Sequence, residues 1–499
     1  MNILGKIIFT LIISVILFIV FITIKKNSLK NIKKDLQGAW PIIAIIFGVI
    51  LIKSIVLIPG FKMVDDEASF IIAAQKILKD LSLGEYYCKS TFWPFFIACI
   101  LKIIGPRNMV ILYLNIVLSG ISIGAIYLLS KKLFKNEIAA YSTAIFLALS
   151  VLHMQWSLSL NSIIPAGLFV MFSLIAYINY YRKPDMINLW LALAITFLTV
   201  QIRIECSVLF VIFLIGQYIY KVSIKKEQIL SILSTLILLV PFYVKILPKF
   251  TAVNWDVVDG GLSPLIASNW SISNIYFHTI TIVSQLFTNI FHPLILSMFV
   301  LIGLHMAWNK YRRETIFLLW SLFLFYVATF TISKTLSGSS RVLLNIYNYL
   351  LLWAGYGFFV LFDQIRKRKG KFVANIFSLL VLMLFILRIG AIESRESFRT
   401  DHMIRTLPVY AGNALSRQNV YVSEAESLFE ISGSRLNVIN VNEYLHNKKQ
   451  SKKYYLLARD KDRSDYSELK RQGYKLHHLK GFSNYHGQDQ WEIYEIIEK

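Results

Sequence analysis

Residues 7–24 read IIFTLIISVILFIVFITI, and this stretch decides the fold class. It runs for 18 residues without a charge. A helix rises about 1.5 Å per residue, so such a run covers most of a roughly 30 Å hydrocarbon core. No small-residue cleavage site follows it, so it reads as a retained span rather than a removed leader.

Working outward, apolar blocks recur near 40–59, 109–129, 138–154, 161–181, 187–202, 204–220, 228–248, 280–307, 315–333, 341–362 and 372–391. The expectation is a polytopic α-helical membrane protein of about 12–13 spans. Hydrophobic residues make up 56% of the 499, far above a water-soluble chain. The net charge is +23, which in a soluble protein would raise nucleic acid as a partner. Here the basic residues fall between apolar blocks: Lys25-Lys26, Lys33-Lys34, Lys225-Lys226, Arg312-Arg313 and Arg366 to Lys371. That is the pattern of loops retained on the cytoplasmic side, so no nucleic-acid partner is expected. The three cysteines, Cys88, Cys99 and Cys206, have no metal-ligand spacing.

With the 25–34 and 366–371 clusters inside, Asp65 to Glu67 and the C-terminal residues fall outside. The block FWPFFIACILKII at 92–104 is short of the roughly 20 residues a crossing needs. Read as dipping or lying on the surface, it keeps Lys131-Lys132, Arg182-Lys183 and Lys225-Lys226 inside; a full crossing would place those three sites outside. After Ile392 the chain turns polar, and short β-like runs at 419–423, 437–441, 453–458, 474–479 and 491–496 alternate with charged helix-like pieces. This predicts a small soluble α/β domain over 393–499. A second outer loop, 249–276, carries Trp255, Asp256, Asp259 and Trp270, a mix suited to substrate binding or to a solvated turn with interfacial tryptophans.

The acids Asp65-Asp66-Glu67 open a segment with Phe70, Ala74, Ile77, Leu78 and Leu81 on one face, the period of an amphipathic helix. Two readings fit. Acids at a helix start cap free N–H groups and suit the dipole. A carboxylate held at headgroup depth can also serve as a general base toward a hydroxyl or amine. No nucleotide sugar is supplied outside the cell, so a sugar on a polyprenyl phosphate is the activated donor available there. Its transfer requires cations for the departing phosphate. Arg203, between two apolar blocks, Arg341, opening a block, and Lys89 supply them. The competing reading of Arg203 is an ion pair with Glu205.

These features resemble the glycosyltransferase C superfamily, in particular the protein O-mannosyltransferase and aminoarabinose transferase type. DEASF at Asp66–Phe70 is similar to that group's Asp-Glu-Ala-x-Tyr motif. TFWPFFIACILKIIGPRN and YLLSKKLFKNEIAAYSTAIFLALSVLHMQWSLSLNS resemble two further segments, and Arg203 and Arg341 match basic residues at span edges. The resemblance covers about 40–392 and implies inverting transfer of a sugar from a polyprenyl-phosphate donor to a lipid, glycan or protein acceptor. It implies Asp66 as base, Glu67 or Asp65 orienting the acceptor, and Arg203 holding the phosphate with Arg341 or Lys89. The implied arrangement is an N-terminal extra span and basic loop (1–39), a catalytic membrane domain (40–392, with outer loops 60–91 and 249–276) and an extracytoplasmic domain (393–499). Lys-, Ile- and Asn-rich usage suits an AT-rich bacterial genome, and the expected location is a bacterial plasma membrane.

Phe70 stands where the motif has Tyr, and Asn345 and Asn348 replace prolines of a late span. Asn161 replaces an acid that would help bind a divalent metal, which puts a metal cofactor in doubt. The alternative class is a lipid-linked saccharide transporter without catalysis, which calls for charges along many spans, whereas mid-span positions here are nearly free of charge and the charges sit mostly at the edges. A polymerase or ligase using a lipid diphosphate would typically need arginines in a large outer loop, and 249–276 has none.

Overall fold

The computed structural model of the chain describes residues 12–17, 19, 40–60, 65–80, 90–105, 108–157, 161–223, 225–252, 279–280, 294–332, 340–392, 420–422, 437–439, 454–459, 469, 471, 474–483 and 490–497. Within these ranges some residues are described by their backbone alone, those at 65–69 and 340–343 among them.

The helices, in chain order, are α1 (Trp40–Gly60), α2 (Asp65–Asp80), α3 (Phe92–Ile104), α4 (Asn108–Phe134), α5 (Glu137–Ala148), α6 (Val151–Ser157), α7 (Ile163–Arg182), α8 (Met186–Ile202), α9 (Val208–Tyr220), α10 (Lys226–Ala252), α11 (Leu294–Lys310), α12 (Arg312–Ile332), α13 (Ser340–Lys369) and α14 (Lys371–Ile392). A 3-10 turn, Ile204–Ser207, separates α8 from α9. Within them Tyr113–Phe134, Ile163–Arg182, Lys226–Val244 and Leu344–Lys369 are long and apolar enough to cross a membrane. The chain is therefore a polytopic helical membrane protein. Leu230, Leu233 and Ile237 on α10, and Leu379, Leu380 and Leu387 on α14, stay exposed, as lipid-facing side chains do.

The apolar block at 138–154 is two helices rather than one. α5 stops at Leu149, and the Ser150 hydroxyl accepts the His153 backbone N–H at 3.3 Å, starting α6. A serine that bonds the following turn competes with the helix it interrupts, and hydropathy alone does not register this. The block at 92–104 is a helix ended by Gly105 at φ +94°, a conformation that favours glycine.

Small residues let the helices close up. A Cβ on Gly303 of α11 would overlap the Trp353 carbonyl of α13, and one on Gly357 would overlap the Phe299 carbonyl. On its other side α13 sets Gly355 against Thr143 and the Ala139 carbonyl of α5. Phe146, Phe299 and Phe358 pack beside these contacts, with ring centroids 5.6–6.0 Å apart. Lipid tails are as apolar as leucine, so close backbone approach and van der Waals contact hold such helices together.

Beyond Ile392 lie β1 (Val420–Val422), β2 (Asn437–Ile439), β3 (Tyr454–Arg459), β4 (Lys475–Ser483) and β5 (Gln490–Ile497). They form one sheet in the order β2-β1-β3-β5-β4. β1 runs parallel to β2 and β3, with Tyr421 opposite Val438 and Tyr455. β5 runs antiparallel to β3 and β4, and β4 has a register shift between His478 and Lys480. All five strand-like runs are strands. The helix-like pieces between them lie outside the described residues, apart from Leu469 and Arg471, which are helical. Two compact units result: Met1–Ile58 with Ala73–Ile392, and Pro59–Ile72 with Glu393–Lys499.

Candidate functional site

Helices α7 and α8 form a hairpin closed at Asp185, whose carboxylate accepts the Asn188 backbone N–H at 2.7 Å. Along the hairpin Tyr177 meets Thr196 at 2.5 Å, and Ser173 meets Thr199 at 3.2 Å. Continuing that antiparallel register brings Phe169 and Val170 of α7 level with the end of α8. The site is built at this end.

At that end α8 gives way to extended backbone at Arg203, whose N–H still bonds the Thr199 carbonyl at 3.2 Å. The 3-10 turn then puts Glu205 beside Arg203. Arg203 donates from Nε to Glu205 Oε1, and both side chains are largely buried, at 16% and 6% relative exposure. No hydrogen bond joins the other two guanidinium nitrogens to a described residue. Arginine has five N–H donors, so this pairing leaves most of them unspent. Two residues on, Ser207 meets the Tyr243 hydroxyl of α10 at 2.6 Å.

The start of α3 is tied to the same place. The Thr91 N–H donates to the Gln201 carbonyl at 2.9 Å, and the Thr91 hydroxyl donates to Gln201 Oε1 at 2.9 Å. The Ser90 hydroxyl also donates to the Gln201 carbonyl, at 3.2 Å. Phe92 sets its ring edge-on to Phe169 of α7 with centroids 5.6 Å apart. Asn161 and Ser162 are buried where α7 begins. Asn345 and Asn348 of α13 are buried too, their amides facing Gly167 near the start of α7.

The acids open α2 at Asp65, as the helical periodicity predicts. Phe70, Ala74 and Ile77 are buried and Lys76 and Lys79 exposed, also as predicted. Asp65, Asp66 and Glu67 are described by their backbone alone, as is Arg341. Lys89, Trp255, Asp256, Asp259 and Trp270 lie outside the described residues altogether. Of the expected site residues, the structure thus describes the side chain of Arg203. Among the described residues no group of three or more His, Cys, Asp and Glu could hold a metal ion.

Lys53 is a polar centre that hydropathy passes over. It is 1% exposed in α1, donates to Ser119 Oγ of α4 at 3.1 Å and lies 3.2 Å from His153 Nδ1 of α6. The signal was a lone lysine inside ILIKSIV. An intramembrane ionisable residue facing other helices in this way is seldom incidental.

The family model described as dolichyl-phosphate-mannose-protein mannosyltransferase matches residues 89–246, which include Ser90, Thr91, Gln201, Arg203 and Glu205. No curated protein matches the chain. Among solved structures, the oligosaccharyltransferase AglB of Archaeoglobus fulgidus, in complex with an inhibitory peptide and a dolichol-phosphate, is similar over 89% of this chain and 74% of its own, with 10% identity and TM-score 0.53. The apo form of the oligosaccharyltransferase of that organism is similar over 91% and 74%, with 10% identity and TM-score 0.57. ArnT of Cupriavidus metallidurans bound to undecaprenyl phosphate is similar over 92% and 98%, with 11% identity and TM-score 0.54.

Proposed function

We propose that this chain, which has the fold of the glycosyltransferase C superfamily, transfers a sugar from a polyprenyl phosphate to an acceptor on the extracytoplasmic face of a membrane. The observation carrying this reading is Arg203: a largely buried guanidinium at the end of a helix, held at Nε and with its other nitrogens unbonded to described residues. Such a group suits an oxyanion that gains charge during reaction. In the reaction the bond from the sugar's anomeric carbon to the phosphate oxygen breaks, and its electron pair stays on the phosphate. The acceptor heteroatom bonds the anomeric carbon from the opposite face, inverting it, and gives its proton to Asp66. Glu67 or Asp65 orients the acceptor, and Arg341 or Lys89 adds positive charge beside Arg203. Trp255, Asp256, Asp259 and Trp270 are assigned to substrate binding. No step requires a metal ion.

The test uses the full-length protein in detergent with a set of radiolabelled polyprenyl-phosphate sugars. The wild type should consume one of them. Asp66→Asn should bind the same donor with turnover reduced by about 10²–10⁴-fold, the usual contribution of a general base. Wild-type turnover by Asp66→Asn would leave the acids as a helix cap, whereas a wild type that binds a donor without consuming it would favour transport over catalysis.

A further inference from the structure

Glu205 is a carboxylate at 6% exposure that bonds the cation assigned to the donor phosphate. A buried carboxylate is costly unless paired, and its pairing here neutralises Arg203 before any substrate arrives. The contact is to Nε, on one edge of the planar guanidinium, so the opposite edge of the group faces away from Glu205. Cys206, next in the turn, is fully buried, and its N–H bonds the Arg203 carbonyl at 3.0 Å, so the backbone holds the pair in place. A phosphate on the edge of Arg203 that no described residue bonds meets an attractive guanidinium with a fixed negative charge behind it.

We propose that Glu205 is a positioning residue that aims Arg203 at the carrier phosphate and limits how tightly the spent carrier is held. This rests on the function proposed above. The donor is a phosphodiester with one negative charge. When the anomeric C–O bond breaks, the electron pair passes to the phosphate, and the released monoester carries up to two charges near neutral pH. A fixed carboxylate repels the dianion more than the monoanion. Glu205 therefore opposes product retention more than donor binding.

The test compares radiolabelled polyprenyl phosphate with its methyl diester, a singly charged stand-in for the donor, on the full chain in detergent at pH 8. Neither probe requires the sugar to be known. Glu205→Gln keeps an oxygen for Nε and removes the charge. It should bind the monoester about tenfold tighter and the diester about threefold tighter, as doubling the ligand charge predicts. With the donor in hand, steady-state kcat should fall while the single-turnover rate holds. Glu205→Asp, which keeps the charge on a shorter arm, should weaken both probes about fivefold at an unchanged ratio, as loss of a well-aimed charged hydrogen bond predicts. An unchanged monoester-to-diester ratio in Glu205→Gln overturns the proposal. If that variant does not fold, unaltered binding in Glu205→Asp overturns it instead. A wild type that binds neither probe overturns the proposed function itself, a result distinct from wild-type binding that the Glu205 variants leave untouched.

Discussion

Helices α11 and α13 meet backbone to backbone at Gly303 and Gly357, whereas α8 and α3 meet through hydrogen bonds gathered on Gln201. The first contact has no room for one added carbon. The second uses polar groups that also lie next to Arg203, whose outer nitrogens are unbonded to described residues. A membrane protein can draw little on the hydrophobic effect to join its helices, so it relies on shape in one place and polar bonding in another. The polar junction is where binding capacity remains.

The comparison breaks most readily at Gly357. Leucine there would drive its Cβ into the Phe299 carbonyl, and backbone cannot step aside as a side-chain tip can. Gly357→Leu should cost at least about 3 kcal/mol, the upper range for overpacking, and show as lost monodisperse protein. Gly48→Ala, whose added carbon meets nothing within 4 Å, is the control and should hold yield and Tm.

At the other region Arg203→Gln should weaken polyprenyl-phosphate binding by about 10–100-fold, the loss of a charge-assisted contact. It also strands the buried Glu205 carboxylate, at about 3–5 kcal/mol. Arg203→Gln with Glu205→Gln should regain Tm and, with the Glu205 charge gone, about tenfold of the monoester binding, while staying about 10–100-fold weaker than Glu205→Gln alone. A double variant that binds as tightly as Glu205→Gln alone would remove Arg203 from the site.

Thr91→Val sharpens the contrast with a smaller effect. It leaves the Thr91 N–H bond to Gln201 and strands Gln201 Oε1, costing about 1–3 kcal/mol in denaturation. Smaller still, Lys53→Met exchanges a buried amine for an apolar chain of similar length. Because desolvation of a buried charge offsets what its bonds contribute, Tm should change by less than the roughly 2–4 °C that 1 kcal/mol produces in a large domain. A larger fall would make the Lys53 contacts to Ser119 and His153 a main tie of α1.

How much of this could be read in advance varied with distance along the chain. The start of α2 at the acids was legible because helical period and capping are local. Arg203 stood out because a lone charge between apolar blocks is conspicuous. Thr91 and Gln201 did not, since 110 residues separate them and neither is unusual in its own segment. Lys53 was averaged away inside an apolar block, and Ser150 was hidden in another.

The sequence by itself determined that the chain spans a membrane many times, where most of the apolar helices fall, and where the five strands lie, because these depend on hydropathy and short-range period. Only the tertiary structure decided which helix ends share a layer, which nitrogen of Arg203 is occupied, and which glycines are contacts. Those depend on side chains brought together from distant segments, and local pattern carries no record of their meeting.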